Sequence, residues 1–276
     1  MPSAPEIQLT DDVTIPALGL GTSPMDDDEA EAAVAAGIDA GYRLIDTAEK
    51  YRNEVGVGRG LRRSGVDRGE LFITTKFDRQ HHSVQGAQQA FAASAERLGL
   101  DYVDLLLIHW PNPQQGTYVD AWRGMIQLLE DGKVRAIGVS NFKPAHLDRL
   151  IEETGVTPCL NQIQVNPYIV REDQQAYHQE HGIITECYTP IGHGGELLAE
   201  EPIVAAAAAH DRTPAQIVLR WHLQLGLLPI PKTQTPERLT ENLDVFDFTL
   251  TDAQMAAITA LDRSGEGAVD SDQVGH

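Results

Sequence analysis

The chain has 276 residues, of which 42% are hydrophobic, 22% charged and 6% aromatic. This composition is typical of a globular protein with a large core, and it excludes a chain that is mainly disordered, collagen-like or coiled coil. The 41 acidic and 21 basic residues give a formal charge of −20, which argues against nucleic acid and anionic membranes as partners. An anionic ligand would therefore need a local group of cations or backbone N–H donors.

The sequence gives no signal for membrane insertion or export. No uninterrupted apolar run approaches the roughly 18 residues of a membrane-spanning helix. Residues 1–6 lack the basic segment and the apolar stretch of a secretory signal. The cysteines, Cys159 and Cys187, are too few for a disulfide framework and are interpreted as small buried hydrophobes. We therefore expect a cytoplasmic protein.

The first predicted element is a hairpin, since residues 7–15 place two short apolar segments on either side of Asp11-Asp12. A run rich in Val, Ile and Leu then recurs about every 22 to 33 residues, with one longer gap before the last run. The eight runs are residues 17–21, 42–47, 71–76, 103–109, 134–140, 160–165, 182–188 and 227–231. Runs such as 105–108 do not alternate with polar residues, which is typical of strands buried on both faces of a parallel sheet.

The stretches between these runs have helical periodicity. One example is an apolar face made by Val84, Ala87, Phe91, Ala95 and Leu98. Two further helices are marked by capping signals, in the segment 213–216 (Thr-Pro-Ala-Gln) and at residues 251 and 254.

Eight strand–helix units in one chain predict an α/β fold, a (β/α)8 TIM barrel formed as a single domain by residues 1–276. We expect the hairpin to close the bottom of the barrel and an extra helix and a tail to follow it. The tail, residues 264–276, is rich in Gly, Ser and Asp, and it is predicted to be either frayed or a flap over the barrel mouth.

Polar residues stand at the ends of successive predicted strands, where barrel enzymes carry their chemistry. The second strand ends in Asp46, and Tyr51 follows five residues later. The later strands supply Lys76, His109, Ser140, Asn141, Gln162 and Tyr188. Each alone is explained equally well by an ion pair or a helix cap, but on neighbouring strands they are expected to converge on one cleft.

Four of these residues suggest a tyrosine acid. The ordinary pKa of tyrosine is about 10, and an ammonium about 4 Å away stabilises the phenolate by up to roughly 4 kcal/mol at an effective dielectric of 20. Asp46 would keep Lys76 charged, and Lys76 would make Tyr51 a better acid. His109 would donate from one ring nitrogen to the substrate oxygen. A phenol that protonates a developing alkoxide suits the reduction of a carbonyl by hydride, which a cofactor must supply.

Several motifs in order resemble the aldo-keto reductase family along almost the full chain, most closely its bacterial branch that includes 2,5-diketo-D-gluconate reductases. They are the segments 18–22 (LGLGT), 44–48 (LIDTA), Tyr51 with 53–54 (NE), 75–76 (TK), 104–111 (DLLLIHWP), 137–142 (IGVSNF), 161–162 (NQ), 188–192 (YTPIG) and 230–233 (IPKT). The resemblance implies a catalytic tetrad in which Tyr51 is the acid, Lys76 and Asp46 tune it, and His109 orients the carbonyl.

The resemblance also implies NADPH as the cofactor. It places Ser140, Asn141 and Gln162 at the nicotinamide carboxamide, which stacks on Tyr188. The other implied contacts are Gly21, Thr22 and Asp46 near the ribose; Thr189, Pro190, Ile191 and Gly192 near the pyrophosphate; Lys232, Thr233 and Arg238 at the 2′-phosphate; and Glu241 and Asn242 at adenine. Lys232 and Arg238 are the only cations between Arg220 and Arg263, which favours a phosphate clamp and hence NADPH over NADH.

The substrate pocket is expected to contain Tyr51, Phe77, His109 and Trp110, because residues 23–25 (Ser-Pro-Met) stand where relatives often have an aromatic residue. Arg52 also departs from the family, which commonly has Gly there. We expect a monomer that acts on a small carbonyl compound and holds no metal, since His81-His82 lacks the spacing of a metal centre. The loop 193–195 (His-Gly-Gly) is interpreted as a flexible segment near the cofactor.

Two other functions stay open at this point. Lys76 at a strand end is also typical of a Schiff-base aldolase, although Asp46 would oppose the lowered lysine pKa that such chemistry needs. A non-catalytic regulatory barrel that retains a cofactor is the other alternative.

Overall fold

The computed structural model describes residues 4–192 and 194–276, so the predicted loop position His193 lies outside the described residues. The chain begins with the predicted hairpin, in which β1 (Glu6–Thr10) and β2 (Val13–Pro16) pair antiparallel. Its buried residues Leu9, Val13 and Ile15 pack in one cluster with Leu44 and Phe72, the first residues of two barrel strands. The hairpin therefore closes the end of the barrel where the strands begin, as predicted.

All eight predicted barrel strands are present and each pairs in parallel with its neighbour in chain order. They are β3 (Gly19–Gly21), β4 (Leu44–Asp46), β5 (Phe72–Phe77), β6 (Val103–Ile108), β7 (Val134–Ser140), β8 (Leu160–Gln164), β9 (Ile184–Tyr188) and β10 (Leu228–Pro229). The first and last strands meet where Gly21 N donates to Pro231 O at 3.1 Å. The (β/α)8 barrel predicted from the eight apolar runs is confirmed.

Ten helices occur in the described residues. They are α1 (Asp27–Ala40), α2 (Glu54–Ser64), α3 (Val84–Leu98), α4 (Tyr118–Glu130), α5 (Pro144–Thr154), α6 (Glu172–Glu180), α7 (Glu201–His210), α8 (Pro214–Gln224), α9 (Pro236–Leu243) and α10 (Asp252–Thr259). The predicted capping boxes at Thr213 and Thr251 are both formed and start α8 and α10. No helix in the described part of the chain has the length and apolarity needed to cross a membrane.

The strands are buried on both faces, which explains their continuous apolar sequence. In β6, Leu105 and Leu107 belong to the cluster inside the barrel, whereas Leu106 and Ile108 pack towards the helices. Successive side chains of a strand point to opposite faces. The same alternation directs Lys76 of β5 into the barrel and its neighbour Phe77 into the helix-side core.

Helices α1 and α2 approach so closely that there is no space for a side chain at Gly56. A Cβ atom at this position would lie 2.0 Å from the carbonyl oxygen of Asp27. We therefore expect Gly56→Ala to lower the free energy of unfolding by about 1–3 kcal/mol, because the helices must move apart. Gly69→Ala is the matched control, since a Cβ there would meet nothing within 4 Å. Chemical denaturation of the two variants tests this contact, and equal losses of stability would contradict it.

Candidate active site

The carboxyl ends of the barrel strands surround a cavity of about 930 Å³. Most of the residues singled out in the sequence line it: Gly21, Asp46, Tyr51, His109, Trp110, Ser140, Asn141, Gln162, Tyr188, Thr189, Pro190, Ile191, Lys232, Thr233, Arg238, Glu241 and Asn242. Residues at or just after the ends of six strands and from the segment after the last strand thus reach one space. The predicted convergence on a single cleft is therefore a feature of the fold.

Four of the residues singled out in the sequence do not line the cavity, namely Thr22, Lys76, Phe77 and Gly192. Lys76 is fully buried, and its ammonium contacts Asp46 and Tyr51, which do line the cavity. Thr22 is buried and donates its hydroxyl to the backbone oxygen of Asp46 at 3.0 Å. Gly192 packs against Leu197.

The expectation that Phe77 forms a pocket wall does not hold in the structure. Phe77 is 1% exposed, belongs to the helix-side core and packs edge-on against His82. It follows directly after the inward-pointing Lys76, so the alternation of the strand turns it away from the cavity. Ser23 and Pro24, which stand where relatives often have an aromatic residue, line the cavity together with Val269 of the tail.

Lys76 makes three contacts that use all of its N–H donors. Its Nζ atom lies 2.7 Å from Asp46 Oδ1, 2.9 Å from the backbone oxygen of Thr47 and 3.3 Å from the hydroxyl oxygen of Tyr51. A lysine ammonium has three donors and no acceptor. Lys76 therefore donates to the oxygen of Tyr51, and the phenol proton remains available for a different acceptor in the cavity.

Burial and charge act in opposite directions on this pair. Burial alone would lower the pKa of Lys76, but Asp46, Tyr51 and Glu186 together more than offset it, so the pKa is raised and the amine stays charged. Burial raises the pKa of Tyr51, and the Lys76 ammonium lowers it by a smaller amount, so the net direction is upwards. From the sequence alone, only the lowering of the Tyr51 pKa by the Lys76 ammonium was expected. Burial adds desolvation, which disfavours the phenolate.

A second carboxyl group, that of Glu186, is linked to this cluster through Gln162. The Gln162 side-chain amide donates to Asp46 Oδ2 at 2.9 Å and to Glu186 Oε2 at 2.6 Å. Glu186 is fully buried on β9, and burial, followed by the Asp46 charge, raises its pKa to about 8. Sequence reasoning missed Glu186, although a glutamate within an otherwise buried strand was the available signal.

This raised pKa predicts a pH dependence of stability. Between about pH 5 and 8, Glu186 holds a proton in the folded protein and loses it on unfolding, since the ordinary pKa is about 4.3. Stability therefore falls as the pH rises, by up to about 1.4 kcal/mol per pH unit. Glu186→Gln removes this proton, so the stability of wild type relative to the variant should fall from pH 5 to pH 8. Denaturation curves at the two pH values measure it, and a constant difference would contradict the assignment.

The ends of β7, β8 and β9 are joined by hydrogen bonds on the cavity wall. Ser140 donates its hydroxyl to the backbone oxygen of Gln162 at 2.9 Å, and Tyr188 donates to Asn141 Oδ1 at 2.9 Å. The amide of Asn141 donates to the backbone oxygen of His109 at 3.1 Å. These bonds hold the Tyr188 ring, the Asn141 amide and the Ser140 hydroxyl in place on the cavity wall that also contains Tyr51. The bonded residues lie at the ends of four strands, β6 to β9.

Lys232 and Arg238, the two isolated cations of the sequence, also line the cavity. Glu241, another lining residue, accepts a hydrogen bond from the Thr213 hydroxyl at 2.6 Å. The two cations supply the local positive charge that an anion needs on a protein of charge −20.

His109 has a buried partner that the sequence did not indicate. Its Nδ1 atom lies 3.1 Å from Asp78 Oδ1, and Asp78 immediately follows the end of β5. Burial lowers the pKa of His109 to about 4, although the hydrogen bond to Asp78 opposes this shift. A third side chain, His276, completes a cluster whose potential metal-ligand atoms lie within 4.8 Å of one another.

The tail was predicted to be either frayed or a flap over the barrel mouth. In the structure it folds over the mouth. Lys143 Nζ lies 2.5 Å from both Asp270 and Asp272, and Arg79 N donates to the backbone oxygen of His276 at 3.2 Å. The His276 ring packs on His109 with 4.7 Å between ring centroids. The tail therefore forms part of the site.

Arg52 is exposed and adopts a left-handed backbone conformation with φ of 56°. Glycine adopts this conformation without strain, which explains why a glycine suits the position after the site tyrosine.

Comparisons with known proteins identify the family of the chain. Residues 17–263 match the sequence profile of the Aldo/keto reductase family. The chain belongs to the aldo/keto reductase family. It is 49% identical over 263 residues to 2,5-diketo-D-gluconic acid reductase B from a Corynebacterium species, covering 95% of each chain. It is 47% identical over 265 residues to methylglyoxal reductase DkgA from Yersinia pestis, covering 95% of this chain and 94% of the relative.

Solved structures show the same likeness within the family. A Gox0644 mutant in complex with NADPH superposes with a TM-score of 0.93 at 42% sequence identity, covering 98% of both chains. The aldo/keto reductase from Brucella melitensis gives a TM-score of 0.91 at 45% identity, covering 94% of this chain and all of that one. The family resemblance stated from the motifs is thus confirmed along the barrel.

Proposed function

We propose that this family member is an NADPH-dependent reductase of small aldehydes and ketones. The observation that carries the proposal is the chain of contacts from Asp46 through Lys76 to the hydroxyl of Tyr51, which ends on the cavity wall. The names of the relatives indicate a 2,5-diketo sugar acid and methylglyoxal as their substrates; the first has ketones at carbons 2 and 5, and the second has two adjacent carbonyl groups. Small α-dicarbonyls and keto sugars are therefore the first substrates to test.

Tyr51 is the proton donor in this proposal. Since Lys76 donates to the phenol oxygen, the phenol proton points to the substrate oxygen, which becomes an alkoxide as the carbonyl is reduced. NADPH, when bound, supplies the hydride for the carbonyl carbon. Loss of the proton leaves a phenolate beside a charged ammonium, and this arrangement stabilises it where water is excluded.

The residues along the cavity fit a dinucleotide. Ser140, Asn141 and Gln162 present amide and hydroxyl groups for a carboxamide, and the Tyr188 ring lies beside them. Lys232 and Arg238 would hold the 2′-phosphate that distinguishes NADPH from NADH. Thr189, Pro190 and Ile191 also line the cavity and would contact the pyrophosphate.

The structure disfavours Schiff-base chemistry at Lys76. Such a lysine must lose its proton to become a nucleophile, whereas the Asp46 carboxylate raises the pKa of Lys76 and all three of its donors are engaged. Borohydride in the presence of substrate should therefore leave Lys76 unmodified.

A steady-state assay of NADPH oxidation tests the proposed function. The panel contains α-dicarbonyls, keto sugars and aromatic aldehydes, each with and without enzyme. We expect NADPH consumption with at least one class and formation of the corresponding alcohol. Tight NADPH binding without consumption across the panel would instead favour the non-catalytic, cofactor-retaining barrel.

A further inference from the structure

The side-chain amide of Gln162 is held by two carboxyl groups from different strands. Its Nε2 atom donates to Asp46 Oδ2 at 2.9 Å and to Glu186 Oε2 at 2.6 Å. A side-chain amide nitrogen has two N–H donors, so both are used. Asp46 ends β4, on the far side of the barrel, whereas Glu186 lies on the neighbouring strand β9. The amide is therefore fixed at two points from opposite directions.

This bonding pattern determines which end of the amide is offered to the cavity. Asp46 forms an ion pair with Lys76 through Oδ1 at 2.7 Å, so its second oxygen accepts hydrogen bonds and donates none. The amide nitrogen must face that oxygen. Gln162 lines the cavity, and its Oε1 atom accepts no hydrogen bond in the described residues and is not enclosed by them. The cavity wall therefore presents a hydrogen-bond acceptor at Gln162.

The bond from Gln162 to Glu186 does not depend on the charge of the glutamate. Glu186 Oε2 accepts the amide hydrogen, and Oε1 is buried without a hydrogen-bond partner in the described chain. Burial raises the pKa of Glu186 to about 8, so the carboxyl group is mostly neutral near pH 7. Because Oε2 accepts, the proton of the neutral group is on Oε1. The second amide hydrogen of Gln162 thus has an acceptor in both states.

We propose that Glu186 is a positioning residue for the cofactor, which locks the Gln162 amide with its oxygen towards the carboxamide N–H of the nicotinamide. This inference rests on the NADPH-dependent function proposed above. Glu186 is fully buried and does not line the cavity, so it acts through Gln162. With Asp46 alone, the amide would keep one fixed hydrogen and could turn about that bond. Glu186 supplies the second fixed point, which defines the plane of the amide.

A cofactor analogue tests the bond that this lock prepares. The 3-acetylpyridine analogue of NADP⁺ has a methyl group in place of the carboxamide NH₂, so it keeps the ring charge and the carbonyl but has no N–H to donate. We expect wild type to bind NADP⁺ about ten-fold more tightly than the analogue, the usual effect of leaving one buried acceptor without its hydrogen bond. Fluorescence titration gives both dissociation constants without turnover. Equal affinities would overturn the proposal.

Three variants assign this preference to Glu186. Glu186→Leu has no acceptor for the amide hydrogen, so the preference for NADP⁺ over the analogue should fall at least three-fold. Glu186→Gln restores an acceptor oxygen and should keep the preference within two-fold of wild type. Glu130→Leu is the matched control, since Glu130 is exposed on the outer helix α4. A loss in Glu186→Gln as large as in Glu186→Leu would overturn the lock, because the acceptor is then not what matters.

Two further measurements separate positioning from a general loss of structure. Adenosine 2′,5′-bisphosphate contains the 2′-phosphate but no nicotinamide, so Glu186→Leu should bind it within two-fold of wild type. In a Gln162→Leu background, Glu186→Leu should no longer change the affinity for NADP⁺, because the residue through which it acts is absent. Weaker binding of the bisphosphate, or an unchanged effect in the Gln162→Leu background, would contradict a role that passes through Gln162.

The outcomes distinguish this inference from the proposed function. If wild type does not bind NADP⁺, the proposed function fails, and the positioning role fails with it. If NADP⁺ binds and Glu186→Leu keeps the wild-type preference, the positioning role alone fails. If Glu186→Leu does not fold, NMR of ¹⁵N-glutamine-labelled wild type decides, with Gln162→Leu identifying the resonance. We expect both amide protons of Gln162 to exchange slowly with water; a proton that exchanges as in an exposed glutamine would overturn the lock.

Discussion

Tyr51→Phe is expected to lower kcat for carbonyl reduction by about 10² to 10⁴-fold, the usual contribution of a positioned general acid. The phenylalanine ring keeps the shape of the wall but has no proton for the alkoxide. Lys76 keeps its bonds to Asp46 and to the Thr47 backbone oxygen, so the barrel should remain folded. Stopped-flow measurement of NADPH oxidation gives the rate, and fluorescence titration gives the dissociation constant for NADPH, which should change little.

Tyr177→Phe is the control for the loss of a tyrosine hydroxyl. Its hydroxyl donates to Asp148 at 2.5 Å on the outer helices, away from the cavity, so both kcat and NADPH binding should match wild type. If Tyr51→Phe keeps wild-type turnover, Tyr51 is not the acid, and the contact with Lys76 serves another purpose.

Arg238→Ala is expected to raise the dissociation constant for NADPH by about ten- to a hundred-fold and to leave that for NADH within about two-fold. The reason is that a charge-assisted hydrogen bond to phosphate is among the stronger polar contacts, and NADH has no 2′-phosphate. The side chain is exposed, so the difference between the cofactors should shrink as the ionic strength rises. Titration of both cofactors at low and high salt measures these effects.

Arg123→Ala is the matched control, since Arg123 is an arginine of helix α4 paired with Asp120 and Glu153. It changes the net charge by the same amount but lies on the outer surface of the barrel. Equal losses of NADPH and NADH affinity in Arg238→Ala would place the phosphate elsewhere. An effect of Arg123→Ala as large as that of Arg238→Ala would show that net charge, rather than a local contact, controls NADPH affinity.

Local sequence was sufficient for the elements of this fold. Apolar runs such as 105–108 identified buried parallel strands, and the polar partners of Thr213 and Thr251 identified two helix starts. Because chemistry in this fold gathers at one edge of the barrel, the strand ends also identified most of the cavity wall. Phe77 was the error, since a strand end supplies one inward residue and turns the next one outwards.

The contacts between distant segments were not predictable in the same way. Asp78 is 31 positions from His109, and Glu186 is 24 positions from Gln162. Neither pair has a local spacing that would bring its members together. The placement of His276 beside His109 likewise depends on the path of the tail, which is held by the ion pairs of Lys143 with Asp270 and Asp272.

The sequence by itself determined the barrel, its hairpin cap and the identity of the side chains around Tyr51, because hydrophobic period, capping and strand order are properties of neighbouring residues. Only the tertiary structure decided the protonation of those side chains. Burial sets the pKa of Tyr51, Glu186 and His109, and it depends on every segment that packs around them. The hydrogen bond between His109 and Asp78 joins residues that follow two different strands, and it exists only after the chain has folded.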